Sequence, residues 1–177
     1  MKDKISIMIP EDKLLARIDE MGKQITEDYK GEPIHLVGIL KGSVFFMCAL
    51  AERIDLPVTL DFMQVSSYGD QTQSSGVVRI HKDTDESLEG KNVLIVEDII
   101  DSGRTMSYLL KILEARKPKS MKLATLLDKP SRRVCEVTAD YTGFEVEDKF
   151  VIGFGLDFAQ KYRNLPFIGV IDEIGDE

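Results

Sequence analysis

The chain has 177 residues, of which 43% are hydrophobic and 31% are charged, and its formal net charge at pH 7 is −8. This length and composition are typical of a globular protein, so we treat residues 1–177 as one domain and exclude an intrinsically disordered chain. The negative charge argues against a protein that binds nucleic acid or an anionic membrane surface through its overall field.

The sequence indicates neither a membrane anchor nor a disulfide framework. No apolar run approaches the roughly 18 residues that a membrane-spanning helix needs. Residues 1–9 lack the apolar core of a signal peptide. Cys48 and Cys135 lie far apart and form no metal-binding motif. We therefore expect a protein of the reducing cytoplasm with no membrane contact.

The first predicted element is an amphipathic helix that begins after Pro10. Leu14, Ile18, Met21 and Ile25 follow one another at spacings of three or four residues, which puts them on one face of the helix. We expect this face to pack against the core of the protein.

Three nearly continuous apolar runs follow along the chain, at residues 33–40, 92–96 and 121–127. Each of the first two is followed by a short polar break and then by a helical pattern, over residues 44–51 and 105–116. Apolar strands that are connected through helices are typical of a parallel sheet covered on both faces. We therefore predict an α/β fold with a twisted, mainly parallel sheet flanked by helices. In such folds ligands bind beyond the carboxyl ends of the strands.

The longest polar stretch, residues 66–76, separates two predicted strands at 58–65 and 77–81. Tyr68 is its only apolar residue, so the stretch cannot anchor itself to a core. Hairpin connections usually have about two to five residues, and this greater length favours a mobile lid over a plain hairpin turn.

Two carboxylates and a phosphate-binding pattern follow the second apolar run. Glu97 and Asp98 come where the buried strand reaches the surface, and residues 101–105 combine a glycine turn, two hydroxyl groups and the start of a helix. Free backbone N–H groups and the positive end of the helix make such a loop suitable for a phosphate. The adjacent carboxylates would repel phosphate, so they need sugar hydroxyls or a magnesium ion as partners. A simpler alternative is a helix that is capped by three solvated acids.

This string resembles the signature of type I phosphoribosyltransferases, which bind 5-phosphoribosyl 1-pyrophosphate. The form Glu-Asp-Ile-Ile-Asp-Ser-Gly is most similar to that of the bacterial hypoxanthine (hypoxanthine-guanine) members. The resemblance implies that Glu97 and Asp98 bind the ribose hydroxyls and that the following loop binds the 5′-phosphate. It also implies Mg²⁺ as a cofactor, with the same two acids among its ligands. The residues of the loop are Ser102, Gly103, Arg104 and Thr105.

The turn after the first apolar run is similar to the pyrophosphate loop of this family. It consists of Leu40, Lys41 and Gly42, and its backbone amides together with the lysine can clamp a diphosphate. In the family the peptide between the residues that match Leu40 and Lys41 is cis. Arg163 resembles the arginine that reaches the pyrophosphate, and Asp157 resembles the acid near a second magnesium site.

Further residues resemble the family's purine pocket and lid. Lys129 matches the lysine that donates to the 6-oxo group of the purine, Phe150 the aromatic that stacks on it, and Val151 the residue whose backbone meets the base edge. A cation donates to an oxo group but not to the 6-amino group of adenine, so this lysine is expected to select oxopurines. Ser67 and Tyr68 match the Ser-Tyr pair of a lid that excludes water.

The resemblance implies a purine-salvage enzyme that transfers the phosphoribosyl group of phosphoribosyl pyrophosphate to hypoxanthine and guanine. We predict that Asp101 is the general base at purine N7. A small hood subdomain, built from the first and last segments of the chain, is expected above the carboxyl ends of the strands. Members of the family form dimers and tetramers, so a homodimer or homotetramer is also expected.

Three alternatives stay open at this point. A xanthine- or guanine-preferring phosphoribosyltransferase would share most of these residues. A non-catalytic RNA-binding regulator on the same fold would need a basic face, which the net charge of −8 argues against. A receiver-like domain or a phosphate-releasing magnesium enzyme would need an acceptor aspartate at the end of the first strand, where Lys41 and Gly42 stand instead.

Overall fold

The computed structural model of the chain describes residues 3–67 and 78–174. In chain order its elements are β1 (Lys4–Ile9), α1 (Glu11–Tyr29), β2 (Ile34–Leu40), α2 (Val44–Ala51), β3 (Val58–Ser67), β4 (Val78–Lys82), β5 (Asn92–Ile100), α3 (Arg104–Glu114), β6 (Ser120–Asp128), β7 (Tyr141–Glu145), β8 (Val151–Ile152) and β9 (Ile168–Glu173). A single 3-10 turn, Pro130–Arg132, follows β6. Within these ranges, none of the helices has the length and apolar character needed to cross a membrane.

Six strands form the main sheet, in the order β4-β3-β2-β5-β6-β7. Neighbouring strands are parallel, apart from β3 and β4, which form an antiparallel pair. The predicted α/β class with a mainly parallel sheet is therefore confirmed. Because β2, β5 and β6 are adjacent and parallel, the loops that follow them lie side by side at one end of the sheet.

Each face of the main sheet has its own hydrophobic cluster, because successive residues of a strand point to opposite faces. Leu36 and Leu94 pack with α1 and α2, whereas Val37 and Ile95 pack with α3. Helices therefore cover both faces, as the apolar runs without polar alternation predict. The predicted inner face of α1 is fully buried, at Leu14, Ile18, Met21 and Ile25.

A second, antiparallel sheet joins the first and last described strands, in the order β1-β9-β8. We call this sheet the hood. Ile9, Val151 and Ile168 of the hood belong to the same hydrophobic cluster as α1 and the central strands. The hood therefore shares its core with one face of the main sheet.

Three strands differ from the sequence-based expectation. The sequence pattern predicts neither β1 nor β7, which are short and depend on pairing with distant partners. The strand β5 continues to Ile100 instead of ending at residue 96, because β6 also continues to Asp128 and pairs with it. As a result, Glu97 and Asp98 lie in a strand, not in the loop that follows it.

A buried carboxylate ties the loop after β4 to the middle of β3. Asp61 is 5% exposed and accepts hydrogen bonds from the backbone N–H groups of Phe62, Asp85 and Glu86. The Nζ atom of Lys82 lies 3.6 Å from its Oδ1. Burial alone would raise the pKa of Asp61, but the three N–H groups and the lysine outweigh burial and lower it.

Replacing Asp61 with asparagine should lower the free energy of unfolding by about 1.5–3 kcal/mol at neutral pH, because the backbone donors lose a charged acceptor. A carboxylate whose pKa is lowered by folding stabilises the folded state above the pKa of the unfolded chain. This contribution is lost as the pH falls through the pKa of the folded state.

The difference between the wild type and Asp61→Asn should therefore stay constant from about pH 7 to pH 5 and shrink below about pH 4. Urea unfolding across this range measures it. The matched control is Asp55→Asn, at an exposed position. An equal loss in both variants, or a difference that does not change with pH, would contradict this account of Asp61.

Candidate active site

A pocket of about 240 Å³ opens at the carboxyl ends of the parallel strands. The end of β5, the turn after it and the first turn of α3 form most of its lining. This is the position at which parallel sheets bind ligands. The sequence-predicted residues that line it are Glu97, Asp98, Asp101, Ser102, Gly103 and Thr105.

The turn between β5 and α3 has the geometry of a phosphate loop. Gly103 caps the helix with a φ of 80°, in the left-handed region that favours glycine. The backbone N–H of Arg104 donates to Oγ of Ser102 at 3.4 Å, and the N–H of Ser107 donates to the carbonyl of Gly103 at 2.8 Å. The positive end of α3 therefore faces the pocket, which suits an anionic ligand.

A second segment supports this loop from outside. The backbone N–H groups of Val134 and Cys135 both donate to the carbonyl oxygen of Ser102. A Cβ built on Gly103 would lie 3.0 Å from Cδ of Arg133, so this arginine packs directly against the turn. Arg133 is in turn paired with Asp128 at the end of β6. The turn between β5 and α3 is thus held by the segment that follows β6, the neighbour of β5 in the sheet.

Glu97 and Asp98 lie next to each other at the end of β5. Oε1 of Glu97 accepts the N–H of Asp98 at 3.0 Å, and Oδ1 of Asp98 accepts the N–H of Ile99 at 2.7 Å. Burial, and then repulsion from Asp98, raise the pKa of Glu97 well above its usual range. Burial also raises the pKa of Asp98, although Arg163 opposes the shift. Two acids in this environment are stabilised by a cation or by hydroxyl donors.

Carboxylate oxygens are also the ligands that Mg²⁺ prefers, so the donor chemistry of Glu97 and Asp98 fits a magnesium ion. In the part of the chain that the structure describes, no three acidic, histidine or cysteine side chains are grouped to hold a metal. An ion at this pair would therefore take its other ligands from water or from a bound phosphate, as Mg²⁺ commonly does.

Three loops meet at the acids because two glycines have no side chain. A Cβ built on Gly42 would lie 1.5 Å from Oδ2 of Asp98, and a Cβ on Gly155 would lie 1.9 Å from the carbonyl oxygen of Gly42. The loop after β2, the end of β5 and the loop after β8 are therefore in direct contact. The peptide between Leu40 and Lys41, in the first of these loops, is cis, as in the family that the sequence resembles.

Two cationic side chains converge on the same loops through Gln160. Its Oε1 atom accepts hydrogen bonds from Nζ of Lys41 at 3.2 Å and from Nη2 of Arg163 at 3.4 Å. Arg163 also donates to the carbonyl of Gly155 at 2.6 Å and pairs with Asp157 at 2.8 Å. The carboxylate of Asp157 is thus paired with the guanidinium group of Arg163.

Lys129 directly follows β6 and is only 7% exposed. Its backbone N–H donates to the carbonyl of Ile100 at 3.0 Å, which brings it next to the turn that contains Asp101. Its Nζ atom donates to the carbonyl of Lys149 at 2.6 Å. A buried lysine near the end of a parallel strand is not a simple surface charge, so a role at the site is the better explanation.

The hood contributes an aromatic surface next to this lysine. Phe150 directly precedes β8 and is 58% exposed, and its ring meets that of Phe158 edge-on, with centroids 5.7 Å apart. Val151, the next residue, is buried in the core of the hood. An exposed ring that is fixed at its edge by a second ring offers its face for stacking.

The side chain of Asp101 has an unused acceptor. Its Oδ1 atom is buried and lies 2.9 Å from Nε of Arg132, but no donor of the described residues is aligned with it for a hydrogen bond. Arg132 and Asp101 thus form an ion pair at this oxygen, and the second carboxylate oxygen, Oδ2, is a further acceptor for a ligand.

The structure brings nearly all the sequence-predicted residues to one end of the sheet. Ser66 and Ser67 of the predicted lid are the last two residues of β3, and Tyr68 lies, with residues 69–76 of the lid, outside the described residues. Sequence reasoning missed Gln160, Arg132 and Asp148, whose side chains contact the site residues. None of them lies in a helix or strand with a periodic pattern, so no sequence pattern points to them.

Comparisons with known proteins agree with this geometry. Residues 10–159 match the family model of the phosphoribosyl transferase domain. Over 173 residues the chain is 50% identical to the hypoxanthine phosphoribosyltransferase of Escherichia coli, with 97% of both chains covered. A solved hypoxanthine-guanine phosphoribosyltransferase from Bacillus anthracis has a TM-score of 0.92 and 46% identity, and the match covers 96% of this chain and 99% of that one.

One of the relatives is a longer protein whose name describes it as bifunctional. The chain is 53% identical over 165 residues to the bifunctional protein TilS/HprT of Listeria monocytogenes. That match covers 93% of this chain but spans only 26% of the Listeria protein. The similarity therefore concerns about a quarter of that relative.

The contact between the loops gives a prediction for stability. Gly155→Ala should lower the free energy of unfolding by about 1–3 kcal/mol more than Gly90→Ala, because only the first methyl group collides with a backbone carbonyl. Both glycines have positive φ, at 103° and 73°, but a Cβ on Gly90 would meet no atom within 4 Å. Thermal and urea unfolding of the two variants compare them. Equal losses would show that the loops have room to separate.

Proposed function

Because the chain belongs to the phosphoribosyltransferase family, we propose that it is a purine-salvage enzyme that transfers the phosphoribosyl group of phosphoribosyl pyrophosphate to hypoxanthine and guanine. The products are IMP or GMP and pyrophosphate. The observation that carries this proposal is the hydrogen bond from the N–H of Lys129 to the carbonyl of Ile100. It joins the residue that would recognise an oxopurine to the strand that would bind the ribose phosphate.

The donor substrate would bind across the ends of β2 and β5. Glu97 and Asp98 accept hydrogen bonds from the two ribose hydroxyls, and the loop from 102 to 105 holds the 5′-phosphate at the start of α3. The backbone of residues 40–42, with Lys41 and Arg163, holds the diphosphate. The support for this orientation is the direct contact of Gly42 with Asp98, which puts the two loops within reach of one ligand.

Magnesium is the cofactor that we propose, with Glu97 and Asp98 as its protein ligands. When bound, the ion would neutralise the charge of the diphosphate as it leaves. We propose Asp157 as a ligand of a second ion. Asp157 is paired with Arg163 here, so it becomes available only when Arg163 leaves it and binds the diphosphate.

The acceptor reacts through N9 of the purine, which forms a bond to C1 of the ribose while the bond from C1 to the pyrophosphate oxygen breaks. The purine proton leaves from N7 and goes to Asp101, whose side chain is 46% exposed and so can reach a ligand. Ser67 and Tyr68 of the predicted lid would keep water from the reactive ribosyl centre. This lid stays a prediction.

Purine selection would come from both sheets. Nζ of Lys129 now donates a hydrogen bond to the carbonyl of Lys149. When the base binds, Nζ would donate to the 6-oxo group of the purine instead. Phe150 stacks on the ring, and the backbone of Val151 meets the base edge. Adenine presents an amino group to the lysine, so two donors would face each other without an acceptor.

We also propose that the protein acts in the cytoplasm as a homodimer or homotetramer. The helix α2 contains no charged residue, and it leaves Phe45 41% exposed and Cys48 exposed. An apolar helix surface of this kind is suited to burial against a second copy of the chain. Sedimentation of the purified protein tests the assembly.

One assay tests the function against its alternatives. The protein is incubated with phosphoribosyl pyrophosphate, magnesium and one of hypoxanthine, guanine, xanthine or adenine, and nucleotide formation is followed by ultraviolet absorbance. Rapid turnover of hypoxanthine supports the proposal. Faster turnover of xanthine or guanine than of hypoxanthine would show a phosphoribosyltransferase that prefers xanthine or guanine. A protein that is inactive with all four bases would refute the proposed function.

Asp101→Asn should lower kcat by about 10²–10⁴-fold and leave the affinity for phosphoribosyl pyrophosphate nearly unchanged, because only proton transfer is lost. Steady-state kinetics and a direct binding measurement separate the two effects. Asp55→Asn serves as the control at an exposed position. A kcat within about threefold of the wild type would remove Asp101 from the role of base.

Lys129→Ala should reduce kcat/KM for hypoxanthine, guanine and xanthine together, because all three have the 6-oxo group. In the wild type, kcat/KM for hypoxanthine should exceed kcat/KM for adenine by at least about tenfold. The variant should have a smaller ratio of these two values, but its activity with adenine should stay low. The quantity to measure is kcat/KM for hypoxanthine and adenine in both proteins. An unchanged ratio would mean that Lys129 does not read the base.

A further inference from the structure

Arg132 connects the proposed base to the purine side of the site through two ion pairs. Its Nε atom lies 2.9 Å from Oδ1 of Asp101, and its Nη1 atom donates to Oδ2 of Asp148 at 3.2 Å. The other oxygen of Asp148 lies 3.7 Å from Nζ of Lys129. The four side chains thus form one chain of alternating charge from the base to the lysine.

The position of Arg132 is set by the backbone around it. The residue ends the 3-10 turn Pro130–Arg132, and its N–H donates to the carbonyl of Lys129 at 3.1 Å. The turn begins directly after the strand that carries the purine side of the pocket. Lys129 and Arg132 are therefore joined by one short, hydrogen-bonded turn.

Stability does not explain this chain of charges. The side chains of Arg132, Asp101 and Asp148 are each about half exposed, at 50%, 46% and 51%. Ion pairs with this exposure contribute little to folding, because water screens them. These ion pairs reduce the conformational freedom of the side chains and add little to the free energy of unfolding. A functional role explains them better than stability does.

The two contacts of the arginine differ in kind. With Asp148 it makes a side-chain hydrogen bond, whereas its contact with Asp101 is an ion pair at Oδ1, the buried oxygen of that carboxylate. Arg132 is also the one ion-pair partner of Asp101 among the described residues. The arginine therefore holds the carboxylate through Oδ1 and leaves Oδ2 as the oxygen that can receive a proton.

We propose that Arg132 is a positioning residue for phosphoribosyl transfer: it holds the carboxylate of Asp101 in the direction that accepts the purine proton, and Asp148 anchors it in that position. This inference rests on the proposed function, since Asp101 needs a direction only if it receives a proton. Arg132 acts through Asp101 and does not itself touch the reacting atoms.

The first test separates kcat from KM. Arg132→Gln should lower kcat by about 10–100-fold, because the base loses its orientation. The KM for phosphoribosyl pyrophosphate should change by less than about twofold, and the Tm by less than about 4 °C. Arg132→Lys keeps the charge and should recover part of kcat. Asp148→Asn should lose part of kcat, because the arginine loses its anchor.

The matched control removes another arginine from an exposed ion pair. Arg116→Gln breaks the ion pair of Arg116 with Asp83. Arg116 follows the C-terminal end of α3, whereas the pocket lies at its N-terminal end. The control variant should shift the Tm by a similar amount and leave kcat unchanged. A kcat of wild-type size in Arg132→Gln, or the same loss in Arg116→Gln, would overturn the proposal.

The second test is a double-mutant cycle. If Arg132 acts through Asp101, the double variant with Asp101→Asn and Arg132→Gln should have the kcat of Asp101→Asn alone. Losses that multiply would show that the arginine acts independently, and the proposal would fail.

A last measurement separates this proposal from the proposed function. If the wild type is inactive with every purine, the proposed function fails, and the role of Arg132 in the transfer fails with it. If the wild type is active, crystal structures of the wild type and Arg132→Gln test the role of the arginine alone. An Asp101 side chain with the same direction in both structures overturns the proposal, and a changed direction supports it.

Discussion

The approach of Gly42 to Asp98 is the contact on which the geometry of the whole site depends. Adjacent strands of a sheet are only about 4.8 Å apart, so the loops that leave β2 and β5 compete for the same space. The carboxylate of Asp98 lies where a Cβ at position 42 would stand. A side chain there would push the two loops apart. Gly155 repeats this constraint for the loop after β8, whose backbone meets the carbonyl of Gly42.

This close approach also answers an electrostatic problem. The chain has a net charge of −8, and its proposed donor substrate is a polyanion. At physiological ionic strength charges are screened over about 8 Å, so the overall field matters less than groups in contact with the ligand. Lys41, Arg163 and the start of α3 supply positive charge within one small region. Because these groups come from different loops, only tight loop packing lets them act on one ligand.

The predictable part of the site is the part that is continuous in sequence. The acids, the glycine turn and the helix start occupy a single stretch from Glu97 to Thr105, and a buried apolar strand precedes them. Local physical chemistry is sufficient there, since each feature needs only its neighbours. The parallel class of the main sheet could be predicted for the same reason, because apolar strands and helices alternate along the chain.

The parts that could not be predicted depend on partners far away in sequence. Lys4 in β1 pairs with Glu173 in β9, and β1 has no strong pattern of its own, although the apolar residues at 167–171 do indicate the strand β9. Gln160 gains its role from Lys41, which is 119 residues away. Arg132 looks like a solvated charge in the sequence, and only the fold brings it to Asp101. In the proposed function the two halves of the site consequently have different origins: β5 and α3 of the main sheet would bind the ribose phosphate, whereas the purine would lie between Lys129, which follows β6, and Phe150, which precedes β8. A small shift of the hood would then change the space for the base and leave the turn between β5 and α3 intact.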